Sequence, residues 1–150
     1  KKMQICGIMA NSRIDEVEDN CFAKSSRINS TWGGNLVDMI RSKRNLEIID
    51  EENLVENAEV NGRFLLENLI QLQEEYPEFI SNARGLGLMC AFDMPDVELR
   101  KTFVEQCYKN KLLILPCGKN SIRFRPVLDI TNHELNEGLK IIEKILYLMR

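Results

Sequence analysis

Pro77 separates two kinds of apolar pattern, and that switch restricts the chain to a mixed fold. Before it, Leu36, Met39, Ile40, Leu46, Ile48 and Ile49 recur at helical spacing, and a second helical run extends from about Leu54 through Leu69 and Leu72. Proline has no amide to donate to the preceding turn, so Pro77 closes the second helix. After it the apolar stretches shorten. Phe79 to Ala83 and Leu86 to Phe92 are expected as strands around a turn-like Arg84-Gly85-Leu86-Gly87. Pro95 is expected at the start of a helix carrying Leu99, Phe103, Val104 and Cys107. Leu112 to Leu115 reads as a short buried strand and Ser121 to Phe124 as another. Thr131 with Glu134 three residues on forms a capping box, ahead of an apolar face of Leu135, Leu139, Ile142, Ile145 and Leu146. The sum is an α+β fold, with helices packed on one small sheet.

A chain of 150 residues suffices for one such core. No repeat or linker divides it, although residues 1–34 differ from the rest, being short apolar patches broken by polar and glycine-rich stretches. A net charge of −3 gives no footprint for nucleic acid or an anionic membrane. The strongest apolar run, Leu112 to Leu115, falls far short of the roughly 20 residues of a membrane span. No apolar region long enough for a signal peptide follows Lys1-Lys2. Cysteines stand at 6, 21, 90, 107 and 117, an odd number with no C-x-x-C pair. Neither a disulfide framework nor a metal site is expected, and the thiols read as buried and reduced in a cytoplasmic protein.

Composition names no reaction. No Ser-His-Asp set is evident, and His133 falls in the first turn of the last helix, where a surface position is expected. The acidic runs Asp50-Glu51-Glu52 and Glu74-Glu75 read as solvated helix ends. Two segments offer more. In Ser121-Ile122-Arg123-Phe124-Arg125-Pro126, alternation places Arg123 and Arg125 on one strand face, opposite Ile122 and Phe124. Guanidinium forks suit a carboxylate, although a surface strand with solvated arginines has the same pattern. Asn29-Ser30-Thr31-Trp32-Gly33-Gly34-Asn35 sets hydroxyls and mobile backbone before a helix, either to bind an anion or to cap that helix.

These segments resemble the L-lysine 6-aminotransferases, within the class III pyridoxal-phosphate-dependent aminotransferases. The resemblance is carried in order by Lys1-Lys2-Met3-Gln4-Ile5-Cys6-Gly7, by Arg27 to Asn35, by Ala83-Arg84-Gly85-Leu86-Gly87-Leu88-Met89-Cys90-Ala91-Phe92, and by Ile122 to Pro126. It covers essentially the whole chain. The 4-aminobutyrate transaminases share the Arg-Phe-Arg-Pro run and the Arg-Gly-x-Gly segment but differ after the tryptophan.

The resemblance implies the C-terminal portion of a fold type I aminotransferase that acts as a homodimer. Residues 1–34 would end the large cofactor-binding domain, and 35–150 would form the small domain. Lys1 corresponds to the lysine that binds pyridoxal 5′-phosphate covalently and moves the proton, with Lys2 its neighbour. Thr31 corresponds to the threonine that hydrogen-bonds the cofactor phosphate of the partner subunit, with Ser30 beside it. Asn29 is placed at the same interface on the substrate side. Arg123 corresponds to the arginine near the substrate carboxylate, and for Arg125 a structural role stays open. The implied reaction moves the ε-amino group of L-lysine to 2-oxoglutarate. The family's glycine-rich phosphate loop, ring-stacking aromatic residue and pyridine-pairing aspartate precede the lysine, so these 150 residues alone are expected to be inactive. A 4-aminobutyrate or ornithine transaminase and a non-catalytic α+β interaction module are the alternatives.

Overall fold

The computed structural model describes residues 8–24, 26–28 and 35–150. The chain divides between Glu52 and Asn53 into two compact units. In the first, Asn11 caps a short 3-10 helix, Ser12–Glu16, and α1 spans Leu36–Glu51. The side chain of Asn35 accepts the amides of Val37 and Asp38, which satisfies free donors at the α1 start. Of the apolar residues expected to bury one side of α1, Leu36, Met39, Ile40 and Leu46 are exposed.

The second unit runs α2 (Leu54–Glu75), β1 (Ser81–Leu86), β2 (Met89–Asp93), α3 (Val97–Lys109), β3 (Leu115–Cys117), β4 (Ser121–Arg123) and α4 (Asn132–Met149). Its strands form one antiparallel sheet in the order β1-β2-β4-β3. The expected α+β architecture is what the chain adopts. Cys90 and Phe92 of β2 and Ile122 of β4 face the helices, where they join Leu65, Leu69, Phe103 and Ile142 in the core. Phe92 meets Phe103 edge-on at 5.9 Å between ring centroids and Phe124 at the same distance. The opposite sheet face carries Arg84, Ala91, Asp93, Ser121 and Arg123, none of them fully buried.

Three local expectations shift. β1 begins at Ser81 and runs through Arg84-Gly85-Leu86, so the turn shortens to Gly87 and Leu88, with Gly87 at φ +52°. The third strand is Leu115–Cys117, not Leu112 to Leu115: Leu113 is 80% exposed and only Ile114 of that run is buried. Its central Pro116 is tolerated because β3 is an edge strand. Asp96, not Pro95, starts α3, its carboxylate accepting the amide of Leu99 at 2.8 Å. The capping box at Thr131 and Glu134 forms as expected, with α4 burying the five apolar residues named for it.

Two asparagines fix the chain between β4 and α4. Asn57 donates to the carbonyls of Leu128 (2.7 Å) and Ile130 (3.1 Å), and Asn61, one turn along α2, donates to Ile130 at 3.0 Å. Asn61 is buried, so its amide requires these partners. Cys21, Cys90, Cys107 and Cys117 are free; Cys90 and Cys107 are buried as expected, whereas Cys21 and Cys117 are half-buried. His133 is exposed. Among the described residues no helix is long and apolar enough to cross a membrane, and no cluster of side chains could hold a metal ion.

Candidate active site

Of the residues singled out in the sequence, Arg123 and Arg125 are described; Lys1, Asn29, Ser30 and Thr31 lie outside the described residues. Arg123 closes β4, paired with Ala91 of β2 on one side and Leu115 of β3 on the other. Two links to β2 hold the strand beyond its own ladder. The Phe124 amide donates to the Cys90 carbonyl at 2.8 Å, and the Met94 amide donates to the Asn120 carbonyl at 3.0 Å. The Asn120 side chain returns a bond to the Met94 carbonyl. A three-residue strand is thereby fixed at both ends.

The two arginines of the motif differ in surroundings. Arg125 follows the strand and is exposed. The Nε of Arg123 is buried and has no hydrogen-bond partner among the described residues. Arg100 has an Nε in the same condition, but its guanidinium is committed through Nη1 to the carbonyls of Cys117 and Gly118. A buried donor without a partner is costly, and a guanidinium with unused donors is suited to a carboxylate fork.

A cleft of about 290 Å³ runs past both arginines. Leu112, Phe124, Pro126 and Ile130 line it with Leu139 and Ile142 of α4. Among the described residues Arg123 and Arg125 are its only charged members. A ligand with an aliphatic body and an acidic end matches that combination.

A polar cluster that the sequence did not reveal lies beside Arg123. Asp93 at the end of β2 accepts the Ser121 hydroxyl at 2.6 Å, the Asn82 side-chain amide at 2.8 Å and Arg84 Nη1 at 3.1 Å. Arg84 also donates to the Asn82 carbonyl at 2.8 Å and from Nη2 to Ser121 at 3.4 Å. Burial pushes the Asp93 carboxyl up, but the bonds from Ser121, Asn82 and Arg84 outweigh it and hold the group below the usual carboxylate range. A register shift in β1 brings these groups together. Ser81 opposes Asp93 while Arg84 opposes Ala91, leaving an additional β1 residue between the pairs, and Asn82 takes φ +54°.

The family model described as Aminotransferase class-III matches residues 2–146. The chain is 48% identical over 143 residues to an L-lysine-epsilon aminotransferase of Amycolatopsis lactamdurans, covering 95% of this chain and 32% of that protein. It is 38% identical over 120 residues to a mitochondrial 4-aminobutyrate aminotransferase of Sus scrofa, covering 80% of this chain and 24% of that one. The solved lysine aminotransferase from M. tuberculosis superimposes with a TM-score of 0.91 at 41% identity, over 98% of this chain and 34% of that one. The chain thus spans about a third of the length of the L-lysine-epsilon aminotransferases it matches and about a quarter of that of the 4-aminobutyrate aminotransferase.

Proposed function

The chain belongs to the class-III aminotransferase family, and on that premise we propose that the protein transfers the ε-amino group of L-lysine to 2-oxoglutarate. The products are the 6-semialdehyde and glutamate. The structural observation that supports this reading is Arg123, whose Nε is buried and has no hydrogen-bond partner among the described residues. Both lysine and 2-oxoglutarate present a carboxylate to such a group. The choice of lysine as donor rests on sequence, because identity to the lysine enzymes exceeds identity to the 4-aminobutyrate enzymes and extends over more of the chain.

Pyridoxal 5′-phosphate is the proposed cofactor, and when bound it supplies the electron sink that makes amino transfer possible. The donor set suits it chemically: the Lys1 amine matches the cofactor aldehyde, and the hydroxyls of Thr31 and Ser30 match its phosphate. Lys1 would also move the proton from the amine-bearing carbon of the substrate to the aldehyde carbon of the cofactor, and Asn29 would lie on the substrate side. Residues 1–34 are proposed to belong to the large domain and 35–150 to the small one, within a cytoplasmic homodimer. Because the chain spans about a third of the length of these relatives, the remaining cofactor contacts are proposed to come from outside the 150 residues, which by themselves are proposed to be inactive.

The test uses protein of the relatives' length loaded with pyridoxal 5′-phosphate. Glutamate formation from 2-oxoglutarate should be fastest with L-lysine, and faster turnover with 4-aminobutyrate or ornithine would overturn the donor assignment. Arg123→Ala should raise KM for both carboxylate substrates by about 10- to 100-fold, the size of a lost charge-assisted hydrogen bond. Turnover of lysine by the isolated 150 residues would refute their proposed inactivity.

A further inference from the structure

Arg84, Ala91 and Arg123 form one row across the sheet, since Arg84 pairs with Ala91 and Ala91 with Arg123. Directly paired residues of antiparallel strands share a face, so both guanidinium stems rise from the same side, about 10 Å apart across two strand spacings. In the register, Ala91 stands between them. The next row on that face holds Ser81, Asp93, Ser121 and Cys117. Two arginines are therefore within reach of one incoming carboxylate, and they are in different electrostatic states. Arg84 is paired with Asp93 at 3.1 Å and tied to the Asn82 carbonyl, while Arg123 has no acidic partner among the described residues. The same carboxylate of Asp93 holds the Ser121 hydroxyl at 2.6 Å, two residues before Arg123 on a strand of only three residues.

We propose that Asp93 is a positioning residue for Arg123: it draws Arg84 out of the shared row and anchors β4 through Ser121, so that a single, fixed guanidinium meets the substrate carboxylate. The proposal rests on the aminotransferase reading above, and in particular on Arg123 as the carboxylate partner. Asp93 itself touches no substrate. The Asn82 bond at 2.8 Å and the register shift in β1 complete the arrangement, because they aim Arg84 and Asn82 at one carboxylate from the same strand.

Steady-state kinetics of the full-length holoenzyme separate this role from a merely structural one. Asp93→Asn should raise KM for 2-oxoglutarate and for lysine about tenfold while kcat stays within about twofold, as one weakened charge-assisted contact predicts. Ser121→Ala, which leaves the Arg84–Asp93 pair in place, should raise both KM values about threefold in the same direction. In an Arg123→Lys background, Asp93→Asn should raise KM no further, since the two act through one contact. A fall in kcat with KM unchanged, unaltered kinetics, or fully additive effects with Arg123→Lys would overturn the proposal. If Asp93→Asn does not fold, Ser121→Ala with its own Arg123→Lys combination decides the matter. A wild-type enzyme that prefers another amine refutes the lysine assignment alone, because the KM for 2-oxoglutarate still reports on Asp93.

Discussion

Replacing Gly62 with alanine tests whether the β1–β2 turn rests directly on the backbone of α2. Gly62 is buried at mid-helix, where alanine would ordinarily stabilise by about 1 kcal/mol. Here the added Cβ would lie 2.1 Å from the carbonyl carbon of Gly87, 2.2 Å from its oxygen and 2.6 Å from its Cα. No flexible side chain can swing aside, because all three atoms are backbone. That backbone is itself constrained, with Gly87 at φ +52° and the Cys90 thiol donating to its carbonyl at 3.5 Å. Relief therefore requires the whole hairpin to move, which places the cost at or above the upper end of the roughly 1–3 kcal/mol typical of overpacking. After subtracting the helical gain, the net loss is about 2 kcal/mol. Gly138 is the internal control. Its added Cβ would meet only the Leu112 Cδ1 at 3.7 Å, an ordinary contact, so Gly138→Ala should keep the full gain of about 1 kcal/mol. In urea, with a slope of about 2 kcal/mol per M, the midpoints should fall by about 1 M for Gly62→Ala and rise by about 0.5 M for Gly138→Ala. Far-UV circular dichroism reads both. A Gly62→Ala midpoint equal to or above the wild type would show that the turn is not seated on the helix.

Thr131→Ala should cost about 1 kcal/mol, and amides in the first turn of α4 should exchange faster, whereas Thr131→Ser should retain most of the cap; equal unfolding midpoints for the three proteins would contradict the capping account. Burial pushes the Cys107 thiol up to about 12 and the Cys90 thiol up as well. A maleimide at pH about 8 should therefore label Cys21 and Cys117 first, and mass spectrometry finding Cys107 labelled at the same rate in the native chain would refute its burial. The Asp93 carboxyl lies below its ordinary value, as does that of Glu134, which accepts the Thr131 amide and hydroxyl. A group depressed in the folded state stabilises fully above its unfolded pKa, about 3.9 for aspartate, and loses that contribution as pH falls through the lower folded value. Stability should decline below about pH 4, and less steeply in Asp93→Asn; an unchanged acid slope in that variant would remove Asp93 from the account.

The helices were legible because their signals are local. Leu65, Leu69 and Leu72 sit on the buried side of α2, and Thr131 with Glu134 marks the α4 start to the residue. The strands were legible in number and less so in position. Leu112 to Leu115 is the most apolar run of its region, yet the paired residues are Leu115–Cys117, since pairing is decided by Ile122 opposite Pro116 and not by apolar character along one strand. Arg84-Gly85-Leu86-Gly87 reads as a turn from its glycines, but Gly85 has a different task. A Cβ there would stand 2.5 Å from the Cys90 Sγ, so glycine is needed for close cross-strand packing inside β1.

The arginine proposed to meet the substrate carboxylate shows the same division between local and non-local information. Alternation places Ile122 inward, and Ile122 is completely buried; Phe124 follows it against Phe92. Alternation also treats Arg123 and Arg125 as equals, and they are not. β4 stops at Arg123, leaving Arg125 exposed beyond the ladder, while Arg123 has its Nε buried in the sheet. Nor does a third arginine, Arg84, compete for the role, because Asp93 already holds it across a register shift that no sequence spacing announces. Three guanidinium groups of identical intrinsic chemistry are thus sorted by neighbours up to 37 residues away in the chain, as the Arg84–Ser121 bond illustrates. The proposal of Arg123 for a carboxylate rests on its combining, alone among these three, a fixed strand position with a buried donor still unpaired among the described residues, and that combination arises only when β1, β2 and β4 have come together.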